Sequence, residues 1–167
     1  QKVADGKQHP SGDGYRLDNY LRESGVENIQ GYLQDYYLEW PYEYNGIDDY
    51  RQKVDAIVRK MTAGKTDEEL ASYSFVLFNE PDGIWYSDKN WTRFCNDWLD
   101  IYNTVKDINP VIKVAGPNFS VYNSSAYKTF FEFCQKNHCL PEYITWHELQ
   151  KDKLSTIKAH CDQVKGY

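Results

Sequence analysis

A strand-then-helix pattern repeats four times along the 167 residues and limits the possible folds more than any other feature. Apolar runs typical of strands begin near Ile29, Phe75, Val111 and Tyr143, and a segment with helical apolar periodicity follows each of them. Between the strands the sequence lacks turn signals of the kind that join antiparallel hairpins. The sequence therefore predicts an α/β protein with a parallel sheet.

Composition narrows the possible functions. The net charge of −6 argues against a nucleic-acid partner, since phosphate binding needs clustered lysine and arginine. No apolar run approaches the roughly 18 residues that would indicate a membrane span. The four cysteines lack metal-binding spacing and are predicted to be mostly buried free thiols, and the sequence indicates neither a metal nor a cofactor. Aromatic residues make up 16% of the chain, enough to supply both a core and platforms for sugar rings.

Two parallel architectures fit this length. A small open doubly wound sheet of flavodoxin type is one, but the glycine-rich turn that would bind a nucleotide is absent. The other is part of a (β/α)8 TIM barrel, whose complete form needs about 250 residues and keeps its working residues at the carboxyl ends of the strands. Polar and aromatic residues lie at the predicted strand ends, which favours a partial barrel of about strands 3–6: Glu39, Trp40, Asn79, Glu80, Asn118, His147 and Glu148.

One strand carries a specific motif at its end. The run VLFNEP, from Val76 to Pro81, resembles the acid/base signature of retaining glycoside hydrolases built on (β/α)8 barrels. The later segments KVAGPNF and FFEFCQKNHCLPEYITWHE are similar to family 39 of these enzymes, the group of β-xylosidases and α-iduronidases. This resemblance extends from about Ile29 to Tyr167 and implies a carbohydrate-degrading O-glycosidase whose substrate is an oligo- or polysaccharide.

The resemblance assigns roles to particular residues. It implies that Glu80 is the general acid/base, that Asn79 binds the sugar 2-hydroxyl and that His147 lies near the reacting sugar. Because Pro81 disfavours the helical region for the preceding residue, Glu80 is expected to be extended. Trp40 and Trp85 lie near predicted strand ends and are candidates for stacking on sugar rings. Asn118, also at a predicted strand end, is a third candidate for substrate binding.

The second carboxylate of a retaining enzyme is missing from the matched segment. In the family it follows the seventh strand, whereas this sequence stops at Tyr167, after the sixth helix. Glu148 is another carboxylate at a strand end, but side chains alternate along a strand, so it should point away if His147 points inward. Leu149 occupies the place where the family often has a tyrosine. The nucleophile is therefore expected outside this chain.

These observations lead to expectations for the chain as a whole. Residues 1–167 are expected to form a single partial catalytic domain that begins with a polar loop over residues 1–14. Such a half-barrel should be inactive alone and should self-associate or bind the remaining barrel portion, because it exposes unpaired strand edges. A non-catalytic sugar-binding protein on a degenerate barrel and a flavodoxin-like ligand-binding domain remain alternatives. Family association further predicts a secreted, extracellular protein.

Overall fold

The computed structural model describes residues 20–37, 40–149 and 155–167, and the polar loop predicted for residues 1–14 lies outside them. Strands alternate with helices through the described ranges. The elements are β1 (Ile29–Tyr32), a 3-10 helix (Leu33–Tyr36), α1 (Ile47–Thr62), α2 (Asp67–Leu70), β2 (Tyr73–Val76), α3 (Trp91–Ile108), β3 (Lys113–Phe119), α4 (Ser124–Asn137), β4 (Tyr143–Trp146) and α5 (Ile157–Val164).

The four described strands form one parallel sheet in the order β1-β2-β3-β4. An open sheet of flavodoxin type reverses its strand order next to the first strand, and this sheet has no such reversal. The doubly wound alternative is therefore wrong. Consecutive parallel strands joined through helices are what four successive units of a (β/α)8 barrel provide.

The helices cover one face of the sheet, and the core lies between the two layers. Tyr73, Phe75 and Leu77 alternate along and just beyond β2, and all three are buried against the helical layer. Within α3, the buried residues Phe94 and Trp98 recur at the helical period that the sequence predicted. Aromatic rings therefore fill much of the layer that supports the sheet.

One helix begins differently from what its sequence suggests. Ser124 or Ser125 would be expected to cap α4, but the side chain of Asn123 accepts the hydrogen bond from the Ala126 N–H at 3.1 Å. Ser125 instead donates its hydroxyl to Asn123 Oδ1 at 2.9 Å. Both residue types favour the cap position, so local propensity alone does not choose between them.

Strand β3 passes through a Gly-Pro pair. Such a pair usually ends a strand, yet this one continues through Gly116 and Pro117 to Phe119, with a shift in its register against β4 between Pro117 and Phe119. Such irregularities re-aim side chains near functional sites. Asn118 lies at this point with a positive φ of 60°, and its carbonyl accepts a hydrogen bond from the Glu80 N–H at 3.0 Å. The irregular strand thus ties the VLFNEP segment to β3.

Gly116 is required by the close approach of α3. A Cβ atom at this position would lie 2.5 Å from two ring atoms of Trp98, whose side chain is fully buried. We expect Gly116→Ala to lower the free energy of unfolding by about 1–3 kcal/mol, because the ring cannot move without disturbing the core. Urea unfolding followed by circular dichroism measures this. Gly83→Ala is the matched control, since its Cβ would meet its nearest neighbour at 3.5 Å, and equal losses in the two variants would contradict the prediction.

The cysteines are free thiols in the structure. Cys95, Cys134 and Cys139 are buried and Cys161 is partly buried, which agrees with the sequence-based prediction. Burial raises the pKa of Cys95 to about 12, so this thiol stays protonated at neutral pH.

Within the described ranges, no helix is both long and apolar enough to cross a membrane.

Candidate active site

The residues that the sequence placed at strand ends meet at one edge of the sheet. Asn79 and Glu80 follow β2, Asn118 lies near the end of β3, and His147 follows β4 directly. Because the strands are parallel, these positions share the carboxyl edge of the sheet. Hydrogen bonds join all four side chains into one network.

The central contact of the network joins Glu80 to His147. Glu80 Oε1 lies 2.6 Å from His147 Nδ1, and each side chain retains about a fifth of its exposure. The amide nitrogen of Asn118 lies 3.4 Å from His147 Nε2 and can only donate. Nε2 is therefore the acceptor in the neutral ring, and Nδ1 carries the hydrogen that is donated to Glu80. The second carboxylate oxygen, Oε2, has no hydrogen-bond partner among the described residues.

The sequence-based analysis expected an extended backbone at Glu80, and this expectation is wrong. The φ of Glu80 is +48°, in the left-handed region. Pro81 disfavours the right-handed helical conformation for this residue, and the residue does not adopt it. Two backbone hydrogen bonds hold Glu80 in the left-handed region: the Glu80 N–H donates to the Asn118 carbonyl, and the Gly83 N–H donates to the Glu80 carbonyl at 2.9 Å. This tight turn sets the carboxylate beside His147.

Asn79 is held on two sides. Its N–H donates to Gln34 Oε1 at 2.6 Å, and its side-chain oxygen accepts a hydrogen bond from Asn118 Nδ2 at 3.0 Å. Its own side-chain nitrogen has no partner within the described ranges, so it is available to donate to a hydroxyl group. Sequence reasoning missed Gln34, whose only signal was one amide in the aromatic run that follows β1.

Asn118 contacts two other residues of the site. The sequence-based analysis made it a substrate-binding candidate, but the side chain is 1% exposed. Its amide nitrogen contacts both Asn79 and His147, which uses both of its hydrogens. The side chain therefore holds Asn79 and His147 in place, and its contact with a substrate stays a prediction.

The two tryptophan candidates lie in different environments. Trp85 is only 7% exposed, with its ring among Tyr37, Tyr50 and Phe78 and its indole N–H donating to the Tyr42 carbonyl at 3.0 Å. It belongs to the core, so the expectation that it forms a stacking platform is wrong. Trp40 is half exposed, and its role in substrate binding stays a prediction.

Glu148, which follows His147, has hydrogen-bond partners of its own. Its Oε1 accepts a hydrogen bond from the Trp146 indole N–H at 3.0 Å and is paired with His160 Nδ1 from α5. Among the described residues it makes no hydrogen bond with the network around Glu80, and the expectation that the nucleophile lies elsewhere stays a prediction.

Buried side chains from the helices fix the strand ends. The hydroxyl of Tyr50, in α1, donates to the Leu77 carbonyl, two residues before Asn79. The hydroxyl of Tyr127, in α4, donates to the Thr145 carbonyl at 2.8 Å, two residues before His147. Burial raises the pKa of both tyrosines, so both hydroxyls stay protonated and can donate. The site therefore rests on rigid, preorganised backbone.

The chemistry of the cluster is that of a carboxylic acid held by a hydrogen-bond donor. One carboxylate oxygen is fixed by His147, while the other has no hydrogen-bond partner in the described part of the chain. Across that part, the structure contains no group of three or more side chains arranged to hold a metal ion. The arrangement can present one proton donor or acceptor beside an amide that binds hydroxyl groups.

Comparisons with known proteins place this geometry in context. No known family description matches the sequence. It is 28% identical to a 3-O-beta-L-arabinopyranosyl-alpha-L-arabinofuranosidase of Bifidobacterium pseudocatenulatum, across 99% of this chain and 22% of the relative. It is 27% identical to a 3-O-alpha-D-galactosyl-alpha-L-arabinofuranosidase of Bifidobacterium longum subsp. longum, across 65% of this chain and 12% of that protein.

Solved structures share the fold. N2152 of Neocallimastix frontalis superposes with a TM-score of 0.78 at 26% identity, covering 99% of this chain and 41% of its own. A GH39 beta-xylosidase of Caulobacter crescentus superposes with a TM-score of 0.61 at 15% identity, covering 98% of this chain and 49% of its own. The latter likeness concerns the fold alone.

These comparisons confirm the partial (β/α)8 barrel and support a relationship to glycosidases. The chain spans about a fifth of the length of the first curated relative and less than half of each of these two solved structures.

Proposed function

We propose that this chain carries the acid/base half of the active site of a retaining glycoside hydrolase similar to family 39. The observation that carries the proposal is the 2.6 Å contact between Glu80 Oε1 and His147 Nδ1 at the carboxyl edge of a parallel sheet. The other carboxylate oxygen is left without a protein partner in the described residues. The glycosidase relatives support the same reaction class.

Glu80 acts first as the acid. With His147 fixed on Oε1, the proton on Oε2 is passed to the glycosidic oxygen as the bond to the leaving group breaks. A second carboxylate, supplied from outside this chain, attacks the anomeric carbon from the opposite face and forms a glycosyl-enzyme intermediate. Glu80 then removes a proton from the water that hydrolyses this intermediate. The nucleophile must approach within about 5–5.5 Å of Glu80 for this sequence.

The neighbouring groups keep Glu80 in place through both steps. His147 can donate to the carboxylate whether or not Oε2 is protonated, so the same hydrogen bond serves the acid and the base form. The free amide nitrogen of Asn79 binds the sugar hydroxyl nearest the reacting carbon. Hydrogen bonds to the 2-hydroxyl strengthen in the transition state and contribute several kcal/mol in this enzyme class.

The substrate class follows from the relatives. Both curated relatives are named for arabinofuranosidase activity, and family 39, which the sequence resembles, includes β-xylosidases. We therefore propose a pentose-containing oligo- or polysaccharide as the substrate, with the sugar at the scissile bond being arabinose or xylose.

Product stereochemistry tests the retaining mechanism. We expect a protein that joins this chain to its nucleophile strand to release, from aryl arabinofuranosides or xylosides, a sugar with the same anomeric configuration as the substrate. Proton NMR spectra recorded within the first minutes, before mutarotation, measure this. Release of the inverted anomer would contradict the mechanism, and binding of the glycosides without turnover would favour the non-catalytic sugar-binding alternative.

A further inference from the structure

Asp82 is a buried carboxylate that the proposed mechanism does not use. It lies in the loop after β2, two residues beyond Glu80. Its Oδ1 accepts a hydrogen bond from the Ser120 N–H at 2.8 Å, and its Oδ2 accepts one from the Ser120 hydroxyl at 2.8 Å. Acidic side chains are seldom buried unless they are paired or hydrogen-bonded, and here one residue binds both oxygens. Asp82 therefore ties the loop after β2 to the loop after β3.

This contact is the second of two links between the same two segments of the chain. The first joins the Glu80 N–H to the Asn118 carbonyl at 3.0 Å. The link from Asp82 to Ser120 lies two residues further along each segment. Residues 80–82 are thus fastened to residues 118–120 at two points, one on each side of the peptide bonds that follow Glu80.

Both fastened segments contain a residue with an unusual backbone. The φ angle is +48° at Glu80 and +60° at Asn118, and neither residue is glycine. Such conformations persist only where the surrounding structure holds them. The two hydrogen bonds of the Asp82 side chain contribute to that restraint. The main chain of Asp82 is held as well, because Lys89 Nζ donates to its carbonyl.

The proposed acid and its hydrogen-bond donor both depend on these two segments. Glu80 lies on the first segment, and the Asn118 amide on the second contacts His147 Nε2. If the segments separated, the 2.6 Å contact between Glu80 and His147 would lengthen. Asp82 makes no hydrogen bond with Glu80 or His147 among the described residues, so its influence on them passes through Ser120 and the backbone.

We propose that Asp82 is a positioning residue for the acid/base. By binding both polar groups of Ser120, it holds the Glu80 turn against the end of β3 and so keeps the carboxylate within hydrogen-bond distance of His147. The proposal rests on the proposed function for its effect on catalysis. The effect of Asp82 on the contact between Glu80 and His147 does not depend on catalysis.

Variants of graded severity test this role in a protein that joins this chain to its nucleophile strand. Asp82→Ala removes both hydrogen bonds, and Ser120→Ala removes only the one to Oδ2. Asp82→Asn is the conservative variant, because its amide oxygen can accept from the Ser120 N–H while its amide nitrogen donates to the hydroxyl oxygen. Asp88→Ala is the matched control, since Asp88 lies in the same loop and is exposed.

The tautomer of His147 reports the contact without catalysis. The hydrogen bond to Glu80 places the ring hydrogen on Nδ1, whereas a neutral imidazole in water prefers it on Nε2. Long-range proton–nitrogen NMR spectra of the neutral ring distinguish the two forms. We expect the Nδ1–H form in the unaltered protein, in Asp82→Asn and in Asp88→Ala. Asp82→Ala should shift most of the population to the Nε2–H form, and Ser120→Ala should shift part of it.

Kinetics show whether the contact matters for the reaction. Asp82→Ala should lower kcat for a disaccharide about ten- to a hundredfold with KM nearly unchanged, because a displacement of about 1 Å at a reacting group can cost a hundredfold. Asp82→Asn should recover most of this loss. In a Glu80→Gln background, Asp82→Ala should cause almost no further loss, since no acid is left to position. A general loss of stability would instead lower the activity in both backgrounds.

Several results would overturn the positioning role: the Nε2–H form in the unaltered protein, an unchanged tautomer in Asp82→Ala, an undiminished kcat in that variant, or equal losses in the two backgrounds. If Asp82→Ala does not fold, Ser120→Ala carries the same comparisons with smaller expected effects. If the tautomer responds as expected while the protein cleaves no glycoside, Asp82 still holds the contact and the proposed function fails. If Glu80 proves essential for cleavage while the tautomer is indifferent to Asp82, the proposed function stands and the positioning role fails.

Discussion

Glu80→Gln is expected to lower kcat for a disaccharide substrate about 10²- to 10⁴-fold in a protein that joins this chain to its nucleophile strand. Glutamine keeps the shape of the side chain and can still accept the hydrogen bond from His147 Nδ1, but it cannot deliver a proton from the second oxygen. The loss of kcat/KM, which reports the first step, should be much smaller for an aryl glycoside whose leaving phenol is strongly acidic, because that bond breaks without protonation. Steady-state rates on the two substrates measure the difference.

A chemical rescue separates an acid/base role from a structural one. In Glu80→Ala, hydrolysis of the glycosyl-enzyme intermediate lacks its base, whereas azide can attack without one. Azide should therefore restore turnover of the activated aryl glycoside and yield a glycosyl azide of retained configuration. Glu132→Gln serves as the control and should retain full activity. Activity in Glu80→Gln equal to that of the unaltered protein on both substrates would refute the assignment of Glu80.

Self-association is the second large expected effect, for these 167 residues on their own. β1 and β4 are the outer strands of the sheet, and neither pairs on its outer side with another strand in the described ranges. Unpaired edges in a parallel sheet recruit further strands. Light scattering after size-exclusion chromatography should therefore give an average mass above the 19.7 kDa of one chain. This mass should increase as the protein concentration rises from about 1 to 100 μM, because we expect a dissociation constant on the order of micromolar.

An edge substitution tests where the association occurs. Tyr143, the first residue of the outer strand β4, is 42% exposed, and Tyr143→Lys should shift the distribution towards the monomer because an edge lysine opposes strand pairing. Leu140→Lys is the matched control, since Leu140 is 41% exposed but lies in the loop before the strand. A monodisperse monomer of the unaltered chain over the whole concentration range would rule out the edge-pairing prediction.

Local pattern was enough to predict the architecture. Continuous apolar runs such as Phe75–Phe78 indicate strands covered on both faces, and the helical period of α3 is visible in its apolar residues alone. The absence of a nucleotide-binding turn favoured a barrel over an open sheet, and the strand order agrees. Exact boundaries were less predictable: β3 passes through Gly116 and Pro117, where composition suggested an end, because its pairing with β4 continues beyond them.

The sequence predicted which residues meet at the candidate site better than it predicted what each of them contacts. Glu80, Asn79 and His147 were identified from strand ends and motif resemblance, and the structure places them in one network. Gln34 was missed, since its contact with Asn79 joins residues 45 positions apart. Trp85 was misassigned because an aromatic residue in a loop has the same local sequence signal whether its ring faces the core or the solvent.

The sequence by itself determined the class of the fold and the position of the candidate acid, because strand periodicity and the VLFNEP motif are local properties of the chain. Only the tertiary structure decided what surrounds that acid. The pairing of β2 with β3 places Glu80 in a left-handed turn tied to Asn118. The next strand then brings His147 to 2.6 Å from Glu80, across 67 residues of sequence. Contacts at that separation depend on how the strands pair and how the helices pack behind them.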